Sequence, residues 1–88
     1  EIVDKFQHQR LKQALDHAWG ESNISIGQFA AAIYPLESAL KIAYEREDKH
    51  SAMEIEEQLS IAFENLDEYR KALSHQRKYD TLKAEIFS

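Results

Sequence analysis

The sequence predicts an all-α fold, two antiparallel helix hairpins stacked as a short α-solenoid, and three observations carry that expectation. The 88 residues include two glycines and one proline, too little punctuation for a sheet whose turns would recur every ~8–12 residues. Alanine, leucine, glutamate, lysine and glutamine, the strong helix formers, are abundant instead. Third, the chain matches itself, apolar for apolar, at an offset of 40 residues. With 43% hydrophobic and 31% charged residues, the composition is that of one globular domain over residues 1–88 rather than a disordered tail.

In the first helix, Val3, Phe6, Leu11, Ala14, Leu15, Ala18 and Trp19 recur at helical spacing and predict one buried stripe. Gly20 stands where a helix can end in a left-handed residue, which leaves 21–24 as a polar connection. Ser25 and Gln28 have capping-box spacing and predict the start of a second helix. It carries Phe29, Ala32, Ile33, Leu36, Ala39, Leu40 and Ala43 to about Arg46. Pro35 removes an amide hydrogen inside it and predicts a kink near Ala31.

A charged link over 47–50 leads to the third helix, where Ser51 and Glu54 form a second capping box. Met53, Ile55, Leu59, Ala62, Phe63 and Leu66 are its apolar positions. The next turn falls at 65–67, with Asp67 capping a fourth helix of Tyr69, Ala72, Leu73, Gln76, Tyr79, Leu82, Ile86 and Phe87. Links this short force antiparallel neighbours. Repeat one therefore runs from about 2 to 46 and repeat two from about 48 to 87.

The 40-residue offset pairs Leu15 with Ile55, Trp19 with Leu59, Ile26 with Leu66, Phe29 with Tyr69, Ala32 with Ala72, Ile33 with Leu73 and Ile42 with Leu82. It also aligns the turns, Gly27 with Asp67. Trp19 to Ala32 and Leu59 to Ala72 are both 13 residues apart, and a small residue at the second position lets one helix approach the other.

Leu59, Ser60 and Phe63, followed by Asp67-Glu68-Tyr69-Arg70-Lys71-Ala72-Leu73, resemble the tetratricopeptide repeat, with Leu-Gly-x-x-Tyr on its first helix and alanine on its second. Trp19-Gly20 with Gln28-Phe29-Ala30-Ala31-Ala32-Ile33 is a weaker copy, and the resemblance covers roughly Leu15 to Phe87. Glu56 stands where the pattern has tryptophan and Gln76 where it has an aromatic; no proline closes either repeat, and 40 residues exceeds the usual ~34. Long-helix variants occur in bacterial regulatory proteins. The run from Tyr69 to Tyr79, with Leu82 to Phe87, resembles the last repeat of such sensor regions, which implies a fragment of a longer protein with an output domain beyond it. That output is often a diguanylate cyclase, a histidine kinase or a DNA-binding domain.

Composition narrows the chemistry. A net charge of -5 argues against nucleic acid, whose phosphates call for clustered lysine and arginine. No apolar run approaches the ~18 residues of a membrane span. There are no cysteines, which excludes disulfides and thiolate metal sites. His8, His17, His50 and His75 include no pair at ligand spacing and predict surface histidines; His17 with Glu21 is an ordinary helical pair. Glu56 with Glu57, and Glu45 with Glu47, predict solvated faces. Neither enzyme activity, metal nor cofactor is expected. The sharpest alternative is a four-helix phosphotransfer module, suggested by His8-Gln9-Arg10-Leu11-Lys12; a dimerisation segment is a third.

The expected function is protein or peptide binding within a larger regulatory or signalling protein, in the cytoplasm, or in the periplasm if that protein is a membrane sensor. The resemblance implies that the first helix of each pair lines the concave surface. The register then selects His17, Glu21 and Ile24 in the first repeat and Glu57, Ile61, Glu64 and Asn65 in the second, against the plainer reading of a solvated helix face. Glu57 and Glu64 would repel a ligand carboxylate, so the ligand is expected to be basic or of mixed charge. Trp19, Gly20, Phe29, Ala32, Leu59, Phe63, Tyr69 and Ala72 are the expected packing positions between helices. Two repeats leave apolar surface open at the terminal helices, where missing repeats, a coiled-coil extension or a second copy could dock.

Overall fold

The computed structural model describes residues 5–88; Val3 and the first residues of repeat one lie outside them. Among the described residues the chain forms four helices and no strand: α1 (Lys5–Ser25), α2 (Phe29–Glu45), α3 (Lys49–Asn65) and α4 (Tyr69–Phe87).

The three links are copies of one turn. Gly27, Glu47 and Asp67 adopt positive φ of 79°, 57° and 62°. In each link two amides close the preceding helix. Gly27 N donates to Ile24 O and Gln28 N to Asn23 O, and the same pattern joins Glu47 to Tyr44, Asp48 to Ala43, Asp67 to Glu64 and Glu68 to Phe63. This is the Schellman geometry, which satisfies the last carbonyls of a helix. The residue after the left-handed one already begins the next helix: the Gln28, Asp48 and Glu68 carbonyls accept from the amides of Ala32, Ala52 and Ala72. Those alanines are 0%, 0% and 7% exposed, so each close helix approach follows its turn at a fixed distance. Left-handed residues recur every 20 positions, and the 40-residue offset is two such steps.

Several local expectations shift accordingly. Gly20 does not end α1 but lies buried inside it. A Cβ there would stand 2.5 Å from both Cγ and Cδ2 of Leu36, so this glycine serves a close approach of α2, and Gly27 takes the left-handed role. The segment 21–24 is the last turn of α1 rather than a connection. Ser25 closes that helix, and Gln28 occupies the N-cap of α2 without a side-chain bond, so no Ser25–Gln28 box forms. Asp48 rather than Ser51 caps α3, its Oδ1 accepting from the Ser51 amide at 3.2 Å. Asp67 is the left-handed residue, and Glu68 holds the N-cap of α4.

Pro35 sits buried within α2, which continues unbroken through it from 29 to 45. Proline cannot donate to the carbonyl one turn earlier. Asn23 of α1 reaches that carbonyl instead, its Nδ2 donating to Ala31 O at 3.4 Å.

Each helix packs on its sequence neighbours, α1 also touches α3, and α1 does not meet α4. The described residues measure 46 × 33 × 17 Å, a flat body. Its core consists of Ala32, Leu36, Ala39 and Ala43 of α2, Ala52, Met53, Ile55, Leu59 and Phe63 of α3, and Ala72 and Leu82 of α4. None of the described helices is long and apolar enough to cross a membrane.

Candidate interaction surfaces

The first helix sits opposite to its expected orientation. Phe6, Leu11, Leu15 and Trp19 are 72%, 60%, 70% and 55% exposed, and Ala14 and Ala18 are exposed with them. The residues of α1 turned inward are Gln13, Asp16 and Gly20. Burying amide and carboxylate groups is tolerable because they are bonded. Arg46 Nη1 donates to Gln13 Oε1 at 2.6 Å, and Gln13 Nε2 donates to Asp48 Oδ2 at 3.0 Å. Lys12 pairs with Asp16 at 3.1 Å. Burial by itself would raise the Asp48 carboxyl, but the bonds from Gln13 and Ser51 and the Arg46 charge outweigh it and hold the group below the usual carboxylate value. A polar clamp and a glycine contact thus hold α1 in place, and Phe6, Leu11, Leu15 and Trp19 are left outside.

Four of the exposed residues of α1 form one line: at 100° per residue, Leu11, Leu15, Ala18 and Trp19 fall within an arc of about 100°, and Phe6 lies outside it. Their counterparts in the 40-residue register are informative: Ile55 and Leu59, equivalent to Leu15 and Trp19, are 0% exposed. The difference lies in the neighbours. The face of α3 is enclosed between α2 and α4, whereas α1 packs on α2 alone apart from a light touch from α3. At the other end Tyr69 and Leu73 of α4 are 63% and 50% exposed, while their counterparts Phe29 and Ile33 are half-buried.

The positions chosen from the register lie on α1 and α3. His17 is half-buried, and its Nε2 is enclosed without a hydrogen-bond partner. Glu21 is exposed and accepts from Gln58 Nε2 at 3.1 Å, which ties the two helices together on this side. Ile24 is half-buried against the core. Glu57, Ile61, Glu64 and Asn65 are exposed along α3, with the Asn65 side chain donating to its own helix at Ile61 O, 2.8 Å away. Among the packing positions, Gly20, Ala32, Leu59, Phe63 and Ala72 are buried, Phe29 is half-buried, and Trp19 and Tyr69 are exposed. A groove of about 700 Å³ between α1 and the α2–α3 turn is lined by Arg10, Gln13, His17, Arg46, Asp48 and Ser51, among others.

Glu56 corrects another expectation. It is 0% exposed rather than solvated. The Tyr44 hydroxyl donates to its Oε2 at 2.6 Å, and His75 Nδ1 lies 2.5 Å from its Oε1. Burial, and then the bond to Glu56 and its charge, push the Tyr44 phenol well above its ordinary value. His75, expected at the surface, is instead half-buried and stacks on Phe63 with ring centroids 5.5 Å apart. Three helices are joined at this one carboxylate. The register held a signal for it: Glu56 is the counterpart of Asp16, and both acids are buried. Among the described residues, no three histidine or acidic side chains are grouped to hold a metal ion.

No family model, no curated protein and no solved structure matches this chain.

Proposed function

We propose that the chain is a protein-interaction module, a tetratricopeptide-like α-solenoid segment of a larger regulatory protein, which receives a partner helix along the outer face of α1. One observation carries this reading: Leu15 and Trp19 are exposed at register positions that are fully buried in α3. The identical turns every 20 residues, the Gly20–Leu36 approach and the helix array that does not close on itself support the repeat architecture. A contiguous apolar line on a small domain is a recurring mark of a protein contact. Glu57 and Glu64, exposed beside Ile61, support a second contact with a basic or mixed-charge segment, in the cytoplasm.

A synthetic peptide with the sequence of residues 29–45 is a direct probe, because α2 is the helix that covers the corresponding face of α3. On titration the Trp19 emission is expected to shift to shorter wavelength and saturate. Leu15→Glu is expected to abolish the shift while the helical circular dichroism stays unchanged. Absence of a saturable shift at millimolar peptide, or the same shift in Leu15→Glu, would remove the reading.

A further inference from the structure

We propose that the cleft between α2 and α4 binds a small aromatic organic anion, a flat apolar body carrying one carboxylate. The site lies away from the outer face of α1 and does not depend on what docks there.

Helices α2 and α4 do not meet; both pack on α3. Between the end of α2, the α2–α3 link and α4 lies a cleft of about 590 Å³, lined by residues within 43–49 and 77–85. That volume falls in the range of about 300–1,000 Å³ usual for small-molecule sites. Its apolar lining is Ala43 and Leu82, 0% and 7% exposed, together with Tyr44. Tyr44 is 45% exposed, yet its hydroxyl is engaged with the buried Glu56 carboxylate at 2.6 Å. What this side chain offers the cleft is therefore its ring, held in place by the hydroxyl bond and suited to stack on a second ring.

Charge selects the rest of the ligand. Lys49 pairs with Glu85 at 3.3 Å, and Asp48 is held by Arg46, Gln13 and Ser51. The side chains of Arg77 and Lys78, on the α4 side, have no hydrogen-bond or ion-pair partner among the described residues, and neither has that of Glu47, on the link side. The cleft thus carries two unpaired cations against one unpaired acid, in a chain whose net charge is -5. Its two rims are of opposite sign, and this orients the ligand. The carboxylate meets Arg77 and Lys78, where a guanidinium can bond both of its oxygens, and the ring lies over Tyr44, turned away from Glu47. A cation of the same shape would meet two like charges for one opposite charge.

Titration of the isotopically labelled whole chain with naphthoate, followed through amide chemical shifts, tests this. One saturable set of shifts is expected, confined to the amides of 43–49 and 77–85 and their packing neighbours. Naphthylmethylamine, the same ring with the opposite charge, and acetate, the carboxylate without the ring, are each expected to bind more weakly. Arg77→Glu combined with Lys78→Glu is expected to weaken naphthoate binding by about tenfold or more, whereas Glu47→Gln is expected to bind at least as tightly as the unaltered chain. All three positions are exposed, so the fold should persist; if circular dichroism shows the double variant unfolded, Lys78→Gln takes its place. No saturable shift at millimolar naphthoate, shifts centred on α1, equal binding of the amine, or unchanged affinity in the charge-altered variant would each overturn the site. Absence of naphthoate binding in a chain whose Trp19 still responds to the 29–45 peptide would exclude the cleft and leave the α1 face standing.

Discussion

Adding a single methyl group at Gly20 is expected to have opposite effects on stability depending on what stands at position 36. In Gly20→Ala the new Cβ meets Leu36 Cγ and Cδ2 at 2.5 Å, whereas unstrained carbon contacts lie at about 3.5–4.0 Å. Leu36 must retreat by more than about 1 Å. It is 0% exposed among other fully buried residues, Ala32, Ala39 and Ala43, so it has nowhere to go. Overpacking of this kind costs about 1–3 kcal/mol. Against it stands the gain of replacing glycine by alanine inside a helix, about 1 kcal/mol. The net expectation is a loss of up to about 2 kcal/mol. Leu36→Ala alone removes a buried side chain and is expected to cost about 2–5 kcal/mol. In that background the clash is gone and the helix gain remains, so the same Gly20→Ala change is expected to stabilise by up to about 1 kcal/mol. Urea unfolding of the four proteins, followed by circular dichroism, gives the coupling directly. Additive effects, or a Gly20→Ala single variant more stable than the parent, would refute the close-approach account of this glycine.

Three other expectations concern the turns and the two polar clusters. Glu47 holds a positive φ of 57°, so Glu47→Gly should gain stability by relieving strain of about 1 kcal/mol, less the extra freedom it gives the unfolded chain. Gly27→Ala should lose a similar amount through backbone strain alone, since beyond its chain neighbours nothing lies within 4 Å of the Cβ it would gain; thermal midpoints that move the other way would contradict both. Glu56→Ala leaves Tyr44 and His75 without their acceptor and is expected to cost about 1–3 kcal/mol, with Glu56→Gln milder because its amide oxygen still accepts from Tyr44; equal and small losses would count against a structural role for the cluster. Because the Asp48 carboxyl is held below its ordinary value, its contribution is present above about pH 4 and is lost as pH falls through the lowered value. Asp48→Asn should therefore flatten the acid limb of stability against pH, and an unchanged limb would show that Asp48 does not set it.

The register was legible because it depends on local features, the turn residues and the alanines that follow them, which repeat at fixed distances along the chain. The orientation of α1 was not. An apolar stripe is ordinarily assigned to the core, and here Gln13 displaces it by bonding to Arg46 and Asp48, 33 and 35 residues away. Glu56 was misjudged for the same reason, since its partners Tyr44 and His75 lie 12 and 19 residues off on two other helices. Of the surface positions chosen by register, the exposed acids and Ile61 on α3 could be placed from periodicity alone. The apolar line on α1 required knowing which side of the helix the polar clamp occupies.

The evenly spaced turns also bear on how the chain acquires its structure. Most helix contacts are with the element immediately before or after in sequence, and the first and last helices never meet. No step of folding has to bring distant ends together, so loop-closure entropy is a small part of the barrier and assembly should be fast. Helices can be added one after another in chain order, each onto the last. The reverse also holds: disassembly can start at either end, and hydrogen exchange should find the slowest amides in α2 and α3, where both flanks are covered.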